Sequence, residues 1–339
     1  MKQFFLMLGL IAACALPAGA QRLNPKFSSE ARTGGRQAVL QNMINNMVCV
    51  APPSGSKYST FRMGVPGNPS KQPKFADAAP VHQVSLSTYW IGKYEVTQEE
   101  YEAVMGASAN HSLIKGKDLP VTNVSWNDVQ KFCEKLKALT GLDFRMPTEA
   151  QWELAARGGQ WVNTDYITYS GPSESTRKLS EVASCLFNTE YALGYGNRLV
   201  TAVKDMEKAI GEINASGSYT DKLKKSNKWY EEHKIVPRTR TWVKQNIKPN
   251  RLGLYDMSGN VSEWCFDSYE AGYPSKNQVN PVVKKGDAKV YRGGNYMSQT
   301  SSEEEMTFVW MRTSTHGSAK DALGNPGSKM IGIRLAIWK

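Results

Sequence analysis

The oxygen donors of Asn260 and Glu263 stand out among the side chains able to carry chemistry. They lie three residues apart in GNVSEW, behind Gly259, which permits a tight turn, and backbone carbonyls fall between them. Hard cations such as calcium take oxygen cages of this kind. The same pattern also suits a turn cap at Asn260 and an ion pair between Glu263 and an Arg or Lys. A second group lies in YRGGNYMSQTSSEEEMTFVWMR, Tyr291 to Arg312, where Ser298 offers a hydroxyl and His316 follows as the one histidine of the region. A serine nucleophile needs an adjacent base and a third, orienting group. The spacing does not supply that arrangement, so TSSEEE reads as a solvated loop or as an acidic lip on a binding surface.

Metal and redox chemistry based on sulfur is poorly provided for. Beyond the first twenty residues only Cys49, Cys133, Cys185 and Cys265 remain, with no C-x-x-C. Two disulfides and buried free thiols both fit that spacing. His82, His111, His233 and His316 are scattered, none at ligand spacing from a cysteine, which argues against zinc.

The elements that must position these groups are loop-rich. The chain has 339 residues, 40% of them hydrophobic, with 28 Gly, 16 Pro, 9 Trp and 15 Tyr. That composition points to an α+β or β-rich domain rather than a helical bundle. The opening MKQFFLMLGLIAACALPAGA has the build of an export signal over residues 1–20, too short for a membrane span. An alternative is lipid attachment at Cys14 in IAAC, the one route by which the sequence implies a membrane. The formal net charge is +11, from 42 Lys plus Arg against 31 Asp plus Glu. An excess of this kind favours anionic glycans, lipid headgroups or acidic protein faces; nucleic acid is excluded for an exported protein.

Residues 21–43 are polar and weakly periodic and read as a linker, so the folded domain is expected over 44–339. MVCVAPPSG and YSTFRMG predict two short strands, and HQVSLSTYWIGKYEVT predicts one half-buried strand. Thr97, Ser125 and Thr148 each open a helix, the first as a capping box with Glu100. The stripe Val129, Phe132, Cys133, Leu136 and Leu139 turns Cys133 toward the core. A charged stretch over about 190–242, with NRLVTAVKDMEKAIGEI and YTDKLKKSNKWYEEH as amphipathic helices, reads as an insertion.

In order along the chain, MVCV…FRMG, PVHQVSLSTYWIGKYEVTQEEYEAVMG, LPVTNVSWNDVQKFCEKL, FRMPTEAQWELAARGG, GLYDMSGNVSEW, YRGGNYM and IGIRLA resemble the formylglycine-generating enzyme, or sulfatase-modifying factor, family. The resemblance implies a C-type-lectin-like α+β fold with a helical insertion. It also implies a structural calcium on Asn260, Glu263 and the Val261 carbonyl, with Asn188 as a candidate for a second ion. The family oxidises a substrate-peptide cysteine to formylglycine through two cysteines that bind copper(I), a soft ion suited to thiolates. Here Ser298 and Glu303 stand at those two positions, and Asn295 replaces a serine of the motif. Copper is therefore not expected, and neither is the oxidation.

The region matching the family's substrate cleft contains Asn295, Tyr296, Ser298, Gln299, Trp310 and His316. The resemblance extends to exported, cysteine-less gliding-motility and type IX secretion lipoproteins. It implies a non-catalytic binding or scaffold protein of the envelope, placed in the periplasm, at the outer membrane or on the cell surface. Its partner would be an envelope or secretion-machinery protein, or a glycan or peptide ligand. The alternatives are an enzyme of the formylglycine-generating class and a calcium-organised glycan- or peptide-binding module.

Overall fold

The computed structural model describes residues 22–65, 77–159, 169–172, 181–185, 204–298 except 206, 207, 210, 214, 216 and 234, then 316–320 and 330–338. Within them the chain is α+β, as the sequence predicts. The helices are α1 (Arg36–Asn45), α2 (Gln98–Met105), α3 (Trp126–Thr140), α4 (Glu149–Ala156), α5 (Tyr219–Glu232) and α6 (Arg240–Asn246). Helix α5 lies in the charged stretch expected as an insertion, and α6 straddles the end of that stretch. The strands are β1 (Met47–Val50), β2 (Ser59–Met63), β3 (His82–Leu86), β4 (Tyr89–Gly92), β5 (Phe144–Arg145), β6 (Ser262–Ser268), β7 (Gln278–Val279), β8 (Ala288–Arg292), β9 (His316–Lys320), β10 (Ile331–Gly332) and β11 (Ala336–Trp338). They form three sheets of order β1-β4-β11-β5, β10-β6-β8-β9 and β2-β3-β7.

Local chemistry fixes the helix starts. Thr97, Ser125 and Thr148 accept from the backbone N–H three residues on, while the side chains of Glu100, Asp128 and Gln151 reach back to the cap N–H. Each closed box satisfies two donors that a helix start otherwise leaves open, worth about 1 kcal/mol. Gly141 ends α3 in the left-handed conformation at φ 71°.

Two expectations are corrected here. HQVSLSTYWIGKYEVT is not one strand: the chain breaks at Ser87 and Thr88, so β3 pairs with β2 in one sheet while β4 pairs with β1 and β11 in another. Tyr89 to Gly92 are all buried, so the alternation of β3 does not continue into β4. Nor is the described part of 21–43 a free arm. Lys26 and Ser28 donate to the carbonyls of Thr140 and Leu139, Ala31 is buried, and α1 buries Leu40, Met43 and Ile44.

The core has two parts. One joins α1, α2 and α3 to the first sheet, with Leu40, Tyr101, Phe132, Leu136 and Trp90 in contact. The other packs Trp152 and Leu154 of α4 on Phe61 of β2 and Val84 of β3. Strand β6 runs between them, sending Trp264 into the first and Cys265 into the second. Each large apolar side chain so buried contributes about 1.5–3 kcal/mol. The two faces of β6 thus fix the GNVSEW turn, which leads into it, from both sides.

Candidate functional site

Burial decides what GNVSEW can do. Glu263 is 1% exposed, and both its oxygens are taken by Arg334, whose Nε lies 2.8 and 2.9 Å away; Trp152 Nε1 donates to Oε2 at 2.6 Å. Arg334 also donates to the Gly92 and Tyr255 carbonyls. Asn260, left-handed at φ 54°, accepts from Arg238 N through Oδ1 and donates from Nδ2 to Glu95 at 2.6 Å. Val261 N donates to the other Glu95 oxygen at 3.0 Å. The side-chain oxygens of Asn260 and Glu263 therefore face donors. As they stand, the Asn260 and Glu263 side chains do not make a cation cage.

Two groups missed in the sequence complete this centre, Glu95 from KYEVT and Asp256 from LYDMSG. Asp256 accepts from Ser184 N at 2.7 Å and Ser184 Oγ at 2.9 Å. Three buried carboxylates, Glu95, Asp256 and Glu263, thus share the charge of Arg334. Burial pushes Glu95 well above the usual carboxylate range, with Asp256 and Glu263 adding to it and Arg334 opposing. Burial raises Asp256 to about 6 against the pull of its Ser184 bonds and Arg334. For Arg334, burial works to lower the pKa, and the three carboxylates more than reverse it. The available signal was an acidic residue between two apolar or aromatic neighbours in each motif, Tyr94 and Val96 about Glu95, Tyr255 and Met257 about Asp256.

Gly259 serves close approach rather than a left-handed turn. A Cβ placed there would lie 2.5 Å from Ser184 O and 2.8 Å from Ser184 N, both backbone atoms. Gly259→Ala is expected to push the 184 segment off Asp256 and cost about 1–3 kcal/mol. The urea midpoint at unchanged slope would show it.

The RGGNYMS turn sits against the same centre. Tyr296 N donates to Asn260 O at 2.7 Å, and the Asn295 side chain donates to Ser262 Oγ at 3.1 Å. Ser298 Oγ accepts from Asn295 N at 2.9 Å, so the hydroxyl closes its own turn. Tyr296 is 6% exposed and packs with Val261 and with Tyr230 and Ile235 of the insertion. His316 opens β9, its backbone paired with Arg292. The structure thus gathers Asn260, Val261, Tyr296 and the inserted segment into one cluster, with Asn295 and Ser298 in the adjoining turn. Asn188, Gln299, Glu303, Trp310, the export signal with Cys14, and most of NRLVTAVKDMEKAIGEI lie outside the described residues.

The insertion is anchored through side chains that the sequence did not single out. Arg240 forms a two-oxygen ion pair with Glu100, at 2.7 and 2.6 Å, and donates to Glu95 O. Its backbone N–H, and that of Thr241, bond to Asp118. Cys49, Cys133, Cys185 and Cys265 are all buried. Cys265 is pushed well above the usual thiol range by burial and then by Glu149. A thiol so disfavoured as thiolate is a poor nucleophile.

Comparison with known proteins agrees with this architecture. Residues 37–337 match the sulfatase-modifying factor enzyme 1-like domain. A chaperone protein LppX of Paenibacillus barcinonensis is 28% identical over 65% of this chain and 74% of its own. A formylglycine-generating enzyme of Thermomonospora curvata is 26% identical over 54% of this chain, and the match spans 46% of the enzyme's length. Treponema denticola variable protein 1 shares the fold at a TM-score of 0.58 and 22% identity, over 86% of this chain and 95% of that one.

Proposed function

The chain belongs to the sulfatase-modifying factor enzyme 1-like family, and on that premise we propose that it is an exported, non-catalytic binding or scaffold protein of the bacterial envelope. The observation that carries the reading is the state of the RGGNYMS turn. Ser298, at the position of the family's first cysteine, uses its oxygen to accept Asn295 N–H, and the inserted Tyr230 and Ile235 pack on neighbouring Tyr296. No cysteine follows Cys265 in the sequence, so a copper(I) pair of thiolates has no source there. The similarity to a protein described as a chaperone supports a role directed at another protein, and export accords with the apolar start of the chain.

Purified protein incubated in air with copper(I) and a C-x-P-x-R peptide is expected to leave the peptide mass unchanged. Formylglycine in the spectrum would overturn the non-catalytic half of the proposal. Crosslinking of the tagged protein in cell envelopes should recover one partner in near-equal amount; recovery of bulk envelope protein alone would sink the scaffold half.

A further inference from the structure

Away from the RGGNYMS turn, a cavity of about 80 Å³ opens between β3, the start of α4, the end of β6 and the loop before β7. Its walls are Met63, Pro274 and Val282, and its polar lining includes Glu149, Asp267 and His82. The Gln278 amide can both donate and accept, but the bonds made by the other polar side chains of the lining leave mainly acceptors. Asp267 Oδ1 and Oδ2 accept from Val283 N and Glu149 N, both at 2.8 Å, and offer only further lone pairs. Tyr273 spends its proton on Glu149 Oε1 at 2.7 Å, leaving its oxygen as an acceptor. His82 Nδ1 faces the Pro80 carbonyl at 3.2 Å, so Nδ1 carries a hydrogen and donates to it. The His82 and Tyr273 rings lie 5.1 Å apart and form an aromatic wall.

No lysine or arginine lines the cavity. Arg292 lies beneath at 3.4 Å from Glu149, but it also pairs with Glu153. Lys289 donates to Ser268 Oγ at the edge and sits over the Trp126 ring, 4.3 Å from its centre. In a chain of net charge +11, this recess is an acidic, acceptor-lined exception. Among the described residues no three His, Cys, Asp or Glu are grouped to hold a metal ion. Several donors on one small cation, with an apolar stem against Met63 and Val282, match the lining instead.

We propose that this cavity binds a primary ammonium group, carried either by a free alkylamine or by a lysine side chain of a peptide. The inference does not depend on the reading of the Ser298 turn. Burial raises Asp267 to about 7 against the pull of its two backbone donors, and Glu149 adds to it. The titratable groups around Asp267 are Glu149 of α4, Glu270 of the loop, His82 of β3, and Lys289 and Arg292 of β8. An ammonium ion would compete with the proton there, so affinity should fall as pH drops through about 7.

Calorimetric titration of the whole protein at pH 8 tests it, with butylammonium chloride as probe and tetramethylammonium chloride, which has no N–H, as control. Butylammonium is expected to bind about tenfold more tightly than the control. Glu149→Gln should lose about tenfold, and Glu270→Gln, at the exposed rim, less than about threefold. Equal affinity for the two cations, or unchanged affinity in folded Glu149→Gln, would overturn the proposal; the wild-type comparison decides it even if the variant fails to fold. Nα-acetyl-lysine methylamide then separates the sources. Tighter binding than butylammonium assigns a peptide lysine, and equal binding a free amine.

Discussion

Replacing Arg334 with methionine is expected to cost the fold about 3–5 kcal/mol, because it leaves buried carboxylates without their cation. Arg334 is fully buried and holds Glu263 through two oxygens while donating to two carbonyls from different parts of the chain. Methionine fills much of the volume but gives none of those donors. The loss is a large fraction of the total stability of a natural domain, about 5–15 kcal/mol. Urea unfolding at pH 7.5 should therefore show a strongly lowered midpoint or an unfolded chain. Met in place of Arg with less than about 1 kcal/mol lost would mean that the ion cluster is nearly neutral in its net contribution.

The pH dependence of this variant has a definite sign. Glu95 and Asp256 already sit above their unfolded values, and Arg334 pulls both down, beside the Ser184 bonds to Asp256 and the Val261 N–H bond to Glu95. Without it both folded pKa values rise further. A carboxyl raised on folding favours the folded state fully below its unfolded pKa, and that contribution is lost as pH rises through the folded pKa. The deficit of Arg334→Met should accordingly shrink as pH is lowered from 7.5 toward 5, across the value of about 6 for Asp256 in the parent protein. A deficit that is flat with pH would show that lost packing, not stranded charge, dominates.

How much of this was legible follows from the range of each signal. The capping boxes at Thr97, Ser125 and Thr148 are complete within four residues of sequence, so they are readable and they form. Helix α1 is not, since RQAVLQNMIN is half polar with no clear apolar stripe, and its burial of Leu40, Met43 and Ile44 depends on surfaces supplied much later in the chain. The break between β3 and β4 escaped for a related reason: β4 is covered on both faces, so alternation carries no information there. The site divides in the same way. GNVSEW and RGGNYMS are visible as motifs, and the structure brings them together through Tyr296 N and Asn260 O. The sequence allowed an ion pair of Glu263 with an Arg or Lys, and it forms with Arg334. Which residue would pair, and the part of Glu95 and Asp256, were not visible because the four come from separate segments. Arginine beside a motif glutamate in space leaves no trace in spacing.

The same reasoning makes the inserted segment's attachment measurable. Arg240 and Glu100 form their ion pair at 11% and 5% side-chain exposure, so each single truncation strands a largely buried charge. Arg240→Ala is expected to cost about 3 kcal/mol, and Glu100→Ala somewhat more, because Glu100 also accepts Thr97 N in its capping box. The double variant should lose less than the two singles together, by a coupling of about 1–3 kcal/mol, since neither charge is then left alone. The outcome decides how the insertion relates to the domain. Strong coupling makes Arg240 a rivet between α6 and the start of α2, holding Tyr230 and Ile235 over Tyr296 as part of the fold. Singles costing under about 0.5 kcal/mol would mean that the pair behaves as a surface contact, and that the segment over the RGGNYMS turn opens without disturbing the core beneath it.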